Sequence, residues 1–140
     1  MPAHYPLSTV KQYVADALEN SNSEKVVFSA KSKSINAVIE AFKQKGKLMT
    51  QDQARRYILN HLNGLSPSDF YDKHAGQWGD PKLIVDKYGI RKDGIPWFIK
   101  FFVEQKSETV PEEYLDSISF HPSTEDMKLE NKAIILKDWE

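Results

Sequence analysis

Apolar residues recur every three to four positions in the first half of the chain and crowd into short runs in the second. Val10, Tyr13, Val14, Ala17 and Leu18 form a stripe with the period of an amphipathic helix that opens at Leu7-Ser8. The turn formers Asn20-Ser21-Asn22-Ser23 close it. Lys25–Ala30 is short and β-branched, and reads as a short strand. Ile35, Val38, Ile39 and Phe42 repeat at helical spacing, with Gly46 placed as the C-cap. Thr50 and Gln53 are spaced as a capping box, which opens a third helix with Ala54, Tyr57, Ile58 and Leu62 on its buried side. Ser66-Pro67-Ser68-Asp69 supplies an N-cap, a proline in the first turn and an acid three residues beyond the cap. That is the start signal for a short helix carrying Phe70, Tyr71 and His74.

After Gly76 the pattern changes. Leu83–Tyr88, Trp97–Val103, Leu115–Phe120 and Ala133–Leu136 read as strands, and Lys92-Asp93-Gly94 as the hairpin turn between the first two. Helices followed by consecutive strands predict an α+β fold, with N-terminal helices packed on one face of a C-terminal antiparallel sheet. The expected organisation is one domain over residues 1–140, with a helical half about 7–75 and a sheet half about 82–137. In Trp97-Phe98-Ile99-Lys100, strand alternation sets Trp97 and Ile99 on one face and Phe98 and Lys100 on the other.

Composition narrows the function classes. With 40% hydrophobic and 28% charged residues, the 140-residue chain is of ordinary globular type, neither disordered nor fibrous. It has no cysteine, which excludes disulfides, thiolate zinc sites, iron–sulfur clusters and a cysteine nucleophile. The opening residues 1–6 lack the basic and apolar regions of a signal peptide, and no apolar run is long enough to span a membrane. A cytoplasmic location without membrane contact is therefore expected. Phosphate-loop, dinucleotide, zincin and nucleophile-elbow motifs are all missing from the sequence. The histidines at 4, 61, 74 and 121 have no ligand spacing, so neither a metal site nor a cofactor is expected.

The net charge of −1 hides an asymmetry. Between Lys25 and Arg56 eight basic residues face two acidic ones, whereas Glu104–Glu140 holds ten acidic residues against four basic. A basic stretch can attract a polyanion, although two solvated helix and sheet faces account for the same pattern. Tyr88, Arg91, Lys92, Trp97, Lys100 and His121 lie in or beside the predicted strands. His121, at a strand end before Pro122, has the residue type and setting of a general acid–base or phosphate ligand, and equally of a surface histidine.

Several segments resemble the MqsR-type (motility quorum-sensing regulator) toxins. Leu7-Ser8-x-Val10-Lys11-x-x-Val14 is similar to their opening, and Leu62-Asn63-Gly64-Leu65-Ser66-Pro67-Ser68-Asp69-Phe70-Tyr71 to their GLSxSDFY segment. Asp86-x-Tyr88, Gly94 and the run Trp97 to Lys100 resemble the central hairpin, and Ile118-Ser119-Phe120-His121 the final strand of the catalytic sheet. The matches keep their order over roughly residues 7–121, with gaps and an insertion around 31–55. The resemblance implies a RelE-like fold and a metal-independent mRNA endoribonuclease, the toxin of a type II toxin–antitoxin pair. It implies mRNA and a cognate antitoxin protein as partners, no DNA binding by the toxin alone, and no cofactor. Carried over by position, His121 becomes the acid–base, Lys100 the phosphate stabiliser and Tyr88 a positioning or proton-transfer residue. Lys73, Arg91, Lys92 and Trp97 are the expected RNA-binding residues on that reading, with Trp97 stacking an unpaired base.

The chain departs from the family pattern at two places. Asp72 stands where relatives carry Lys, with Lys73 one position further on, and Val85 stands where they carry Gln. A catalytically degenerate binding module on the same scaffold, engaging a protein or RNA partner, is the alternative reading. An unrelated α+β protein with accidental local matches is a third.

Overall fold

A computed structural model of the chain describes residues 3–28 and 33–140. Three helices lie on one face of a five-stranded sheet. The helices are α1 (Leu7–Glu19), α2 (Lys33–Gln44) and α3 (Gln51–Asn63). The strands are β1 (Val26–Val27), β2 (Phe70–Ala75), β3 (Ile84–Lys92), β4 (Ile95–Glu104) and β5 (Tyr114–Pro122), in the spatial order β1-β5-β4-β3-β2. A separate two-stranded ribbon joins β6 (Met127–Lys128) to β7 (Ile134–Ile135). The α+β class expected from the order of helices and strands is the one observed.

The helix signals act as their chemistry requires. Val10, Val14 and Ala17 of α1 and Val38, Ala41 and Phe42 of α2 are buried. After α2, Gly46 N–H donates to Lys43 O (2.9 Å) and Lys47 N–H to Phe42 O (2.9 Å), the paired bonds of a Schellman end. The capping box is complete: Gln53 N–H donates to Thr50 Oγ1 (3.1 Å), and Thr50 N–H to Gln53 Oε1 (2.8 Å). Both α1 and α2 pack on α3, and α2 also lies along β5.

Two expectations are corrected. The segment after Ser66 is one 3-10 turn, Pro67–Asp69, followed by strand β2. Asp69 Oδ2 accepts from Ser66 N–H at 2.9 Å, which completes a single turn. Phe70 then turns extended and buries its ring 5.5 Å from that of Tyr88 on β3. Pairing to β3 outweighs the local helix signal, so Phe70, Tyr71, Lys73 and His74 sit on a sheet edge. The sheet is also not wholly antiparallel, because β1, from within the first 75 residues, pairs parallel to β5 at Val26–Leu115. Residues 29 and 30 of the expected 25–30 strand, and Lys31 of the basic stretch, lie outside the described residues.

The core is the space between helices and sheet. From β3, β4 and β5 it receives Tyr88, Ile90, Trp97, Ile99, Phe101, Leu115 and Phe120. Beyond β1, the flank of β5 is met by Ser34 of α2, whose Oγ donates to Ile118 O (3.4 Å) and accepts from Phe120 N–H (3.1 Å). The opposite face of the sheet is partly roofed. Met127 and Leu129 close over Gly89, where an added Cβ would lie 2.9 Å from Met127 Sδ.

The β3–β4 turn is the predicted hairpin, with both central residues at positive φ, Asp93 at 54° and Gly94 at 72°. Any Cβ on Gly94 would also meet the Glu140 carbonyl oxygen at 2.8 Å. Gly94→Ala is therefore expected to destabilise the fold by about 1–2 kcal/mol, measured by chemical denaturation. An unchanged midpoint would show that the turn relaxes freely.

Candidate functional site

Strand register sorts the sequence-predicted residues between the two faces. On β3 and β4, Ile90 pairs with Trp97 and Tyr88 with Ile99, and these side chains face the helices. Tyr88 is 1% exposed and Trp97 0%, so neither can touch a ligand without unpacking the core. Burial also holds the Tyr88 phenol above its ordinary range, with the Asp86 carboxylate adding to the shift. The three residues to which the resemblance gives catalytic roles are therefore divided, with Tyr88 on the opposite face of the sheet from Lys100 and His121. Trp97 donates from Nε1 to Tyr57 Oη (3.1 Å) inside a cluster with the Phe42 and Phe120 rings.

Lys100 and His121 do share a face, the one turned away from the helices. Lys100 pairs with Lys87 on one side and Ser119 on the other, while Phe98 pairs with Gly89 and His121. His121 is thus the diagonal neighbour of Lys100, a placement with a typical separation of about 7–8 Å. A groove of about 490 Å³ opens there and reaches round the β5 border to α2, walled by Lys33, Ser34 and Ala37 of that helix and by Gln77, Trp78, Lys100, Ile118, Ser119 and His121. Among the described residues its lining carries two lysines and a histidine and no carboxylate. A β-bulge gives the groove its shape. Lys100 faces Ser119 but Phe101 faces Ser117, leaving Ile118 as the extra residue, which bends β5 beside the site.

The local chemistry of the two central groups is specific. His121 Nδ1 lies 2.9 Å from the Pro122 carbonyl oxygen. A carbonyl only accepts, so Nδ1 carries the proton and the basic lone pair of the neutral ring is on Nε2. The ring also rests against that of Phe98, with centroids 5.3 Å apart. Lys100 Nζ donates to Gln77 Oε1 at 3.3 Å. Burial, and then the neighbouring Lys87 charge, lower the Lys100 pKa from its ordinary value. An anion entering the groove would relieve both penalties.

The remaining predicted contacts lie elsewhere. Lys73 is paired in register with Asp86 on the edge strand, away from the groove, whereas Asp72 is the residue opposite Lys87. The buried Asp86 carboxylate accepts from His4 N–H (2.9 Å) and Tyr5 N–H (2.8 Å), tying the first described residues to β3. Arg91 is engaged by the acidic C-terminal segment, donating to Leu136 O (2.6 Å) and Asp138 O (3.1 Å). Lys92 sits exposed at the hairpin end and lines a different cavity with Asn60 and His61. Gln77, Trp78, Phe98 and Ser119 belong to the site and were not singled out by sequence reasoning. For Phe98 the signal was at hand, since alternation already set it on the Lys100 face.

Among the described residues no group of three or more His, Asp or Glu is placed to hold a metal ion, and no helix is long and apolar enough to cross a membrane. Compared with known proteins, the chain matches no family model, no curated protein and no solved structure.

Proposed function

We propose that this protein is a metal-independent endoribonuclease with a RelE-like architecture, the toxin of a type II toxin–antitoxin pair, acting on mRNA in the cytoplasm and neutralised by a cognate antitoxin. The observation that carries the reading is the carboxylate-free groove with Lys100 and His121 on one sheet face. In the proposed reaction the ribose 2′-oxygen bonds to the adjacent phosphorus as the bond to the 5′-oxygen breaks. His121 Nε2 takes the 2′-hydroxyl proton, and a proton from solvent reaches the departing 5′-oxygen. The Lys100 ammonium offsets the charge that builds on the phosphate oxygens. The products are a 2′,3′-cyclic phosphate and a 5′-hydroxyl end. No step calls on a cofactor. Tyr88 takes no part, because it is enclosed in the core.

The test is incubation of purified protein with single-stranded RNA in the presence of a chelator, with mapping of new 5′-hydroxyl ends. Lys100→Ala is expected to slow cleavage by about 10²–10³-fold. The lowered Lys100 pKa adds a pH signature, since this lysine loses its charge at lower pH than an ordinary one. RNA binding should therefore weaken on the alkaline side as pH rises toward the ordinary lysine range. Lys100→Arg, which stays protonated, should carry binding to higher pH. Identical alkaline limbs in the two proteins would remove Lys100 from the site.

The binding-module reading is favoured by Asp72, an acidic residue in register with Lys87, itself the cross-strand neighbour of Lys100, and by the enclosure of Tyr88. Saturable RNA retention without new ends would select it.

A further inference from the structure

We propose that Trp78 is a stacking platform for an unpaired RNA base at the mouth of the Lys100–His121 groove. The proposal rests on the RNA reading above and adds to it the residue that selects single-stranded substrate. Three independent observations converge on this side chain.

The first is exposure. Trp78 is 61% exposed, whereas Trp97 is fully enclosed. An indole needed only for packing gains nothing from standing in water, so this one is either idle or reserved for a ligand. The second is backbone conformation. Trp78 lies at φ 55° and ψ 28°, in the left-handed region that a bulky L-residue enters at a cost. Its neighbours Gly76 (φ 96°) and Gly79 (φ 77°) take the same sign without penalty. The turn is fixed by Gly76 N–H to Leu83 O (3.0 Å), Gly79 N–H to Gly76 O (3.0 Å) and Leu83 N–H to Asp80 O (3.1 Å). A strained, bonded turn thus holds an aromatic ring outward.

The third observation is position. Trp78 lines the groove with Lys100 and His121, and its ring meets that of Phe102 at 6.0 Å and 87°. The adjacent Gln77 accepts from Lys100 Nζ, so one turn carries both the ring and the group that orients the cation. Cations beside an exposed aromatic ring are the recognition pattern of single-stranded nucleic acid, where the backbone follows the charge and a base stacks on the ring. A duplex keeps its base faces inside its own stack, and free phosphate has no base to offer.

The experiment is a tryptophan-fluorescence titration of the full chain with a short single-stranded RNA, 2′-O-methylated so that it binds without being cut. The same strand in a duplex, and inorganic phosphate, serve as competing probes. Quenching by the single strand and a several-fold weaker response to duplex and phosphate are expected. Trp78→Ala should abolish the quench and, read by fluorescence anisotropy of the same RNA carrying an end label, raise Kd about 10-fold, while Trp78→Phe keeps most of the affinity. Trp78→Gly, which the positive φ suits, should lose affinity as Ala does without lowering the melting temperature. Unchanged affinity in Trp78→Ala, or equal affinity for duplex, would overturn the platform and leave the RNA reading standing on Lys100. No binding of any RNA by the unaltered protein would overturn both.

Discussion

Replacing His121 with alanine is expected to lower RNA cleavage by about 10²–10⁴-fold, the usual contribution of a positioned acid–base, while the melting temperature stays close to that of the unaltered protein. The expectation follows from how the ring is held. Its Nδ1–H donates to the Pro122 carbonyl, and the ring lies tilted against Phe98, so Nε2 is the nitrogen left to exchange protons. The ring is half-buried on the face away from the helices and contributes nothing to the main core. Activity and stability should therefore separate. Induced expression in a bacterial host gives the same comparison in cells: growth arrest with new RNA 5′ ends for the unaltered protein, and neither for His121→Ala. Full toxicity of a folded His121→Ala protein would remove the histidine from the reaction.

Trp97→Ala is expected to do the reverse. Trp97 is 0% exposed and packs against the rings of Phe42, Tyr57 and Phe120, so its removal opens a cavity at the centre of the core. Truncations of this kind cost about 3–5 kcal/mol. The Tyr57 hydroxyl also loses its Trp97 donor while it keeps its own bond to Asp93 at 2.7 Å. For a chain of this length the thermal midpoint should fall by roughly 10–20 °C. RNA affinity per folded molecule should not change, because the indole lies across the sheet from the groove. A Trp97→Ala protein that melts normally and binds RNA poorly would return Trp97 to the stacking role expected from its sequence position.

Helices were the most legible part of this chain, because period and end signals agree. The Thr50–Gln53 box and the Gly46 end state in a few residues what the geometry then shows. The central strands were legible as well, but not which face of each turns inward. Both faces of β4 carry aromatic residues, Trp97 and Phe101 on one and Phe98 and Phe102 on the other. Only the arrival of three helices on one side settles the matter. That choice enclosed Tyr88 and left Phe98 beside His121, which sequence spacing could not decide. Strand β2 was hidden for a different reason. Its centre, Asp72-Lys73-His74, is polar, as an edge strand allows, and a proline-started turn precedes it. Trp78 escapes pattern reading because it stands in the turn Gly76-Gln77-Trp78-Gly79, outside any periodic segment. An isolated aromatic residue in a glycine-flanked turn is a signal available to inspection of this sequence.

The Ser34 hydroxyl on the flank of β5 has a consequence for how this protein behaves at high concentration. A sheet edge with free N–H and C=O groups invites a second chain to add a strand, the route to aggregation and domain swapping. Among the described residues β1 pairs with β5 at two positions, and further along β5 the outward-facing Ile118 O and Phe120 N–H are taken by one serine side chain. At the other border Glu130 N–H donates to Phe70 O, and β2 carries Asp72, Lys73 and His74. With both borders closed or charged, a second copy finds no long ladder to extend. A partner that masks the groove has to grip side chains rather than backbone.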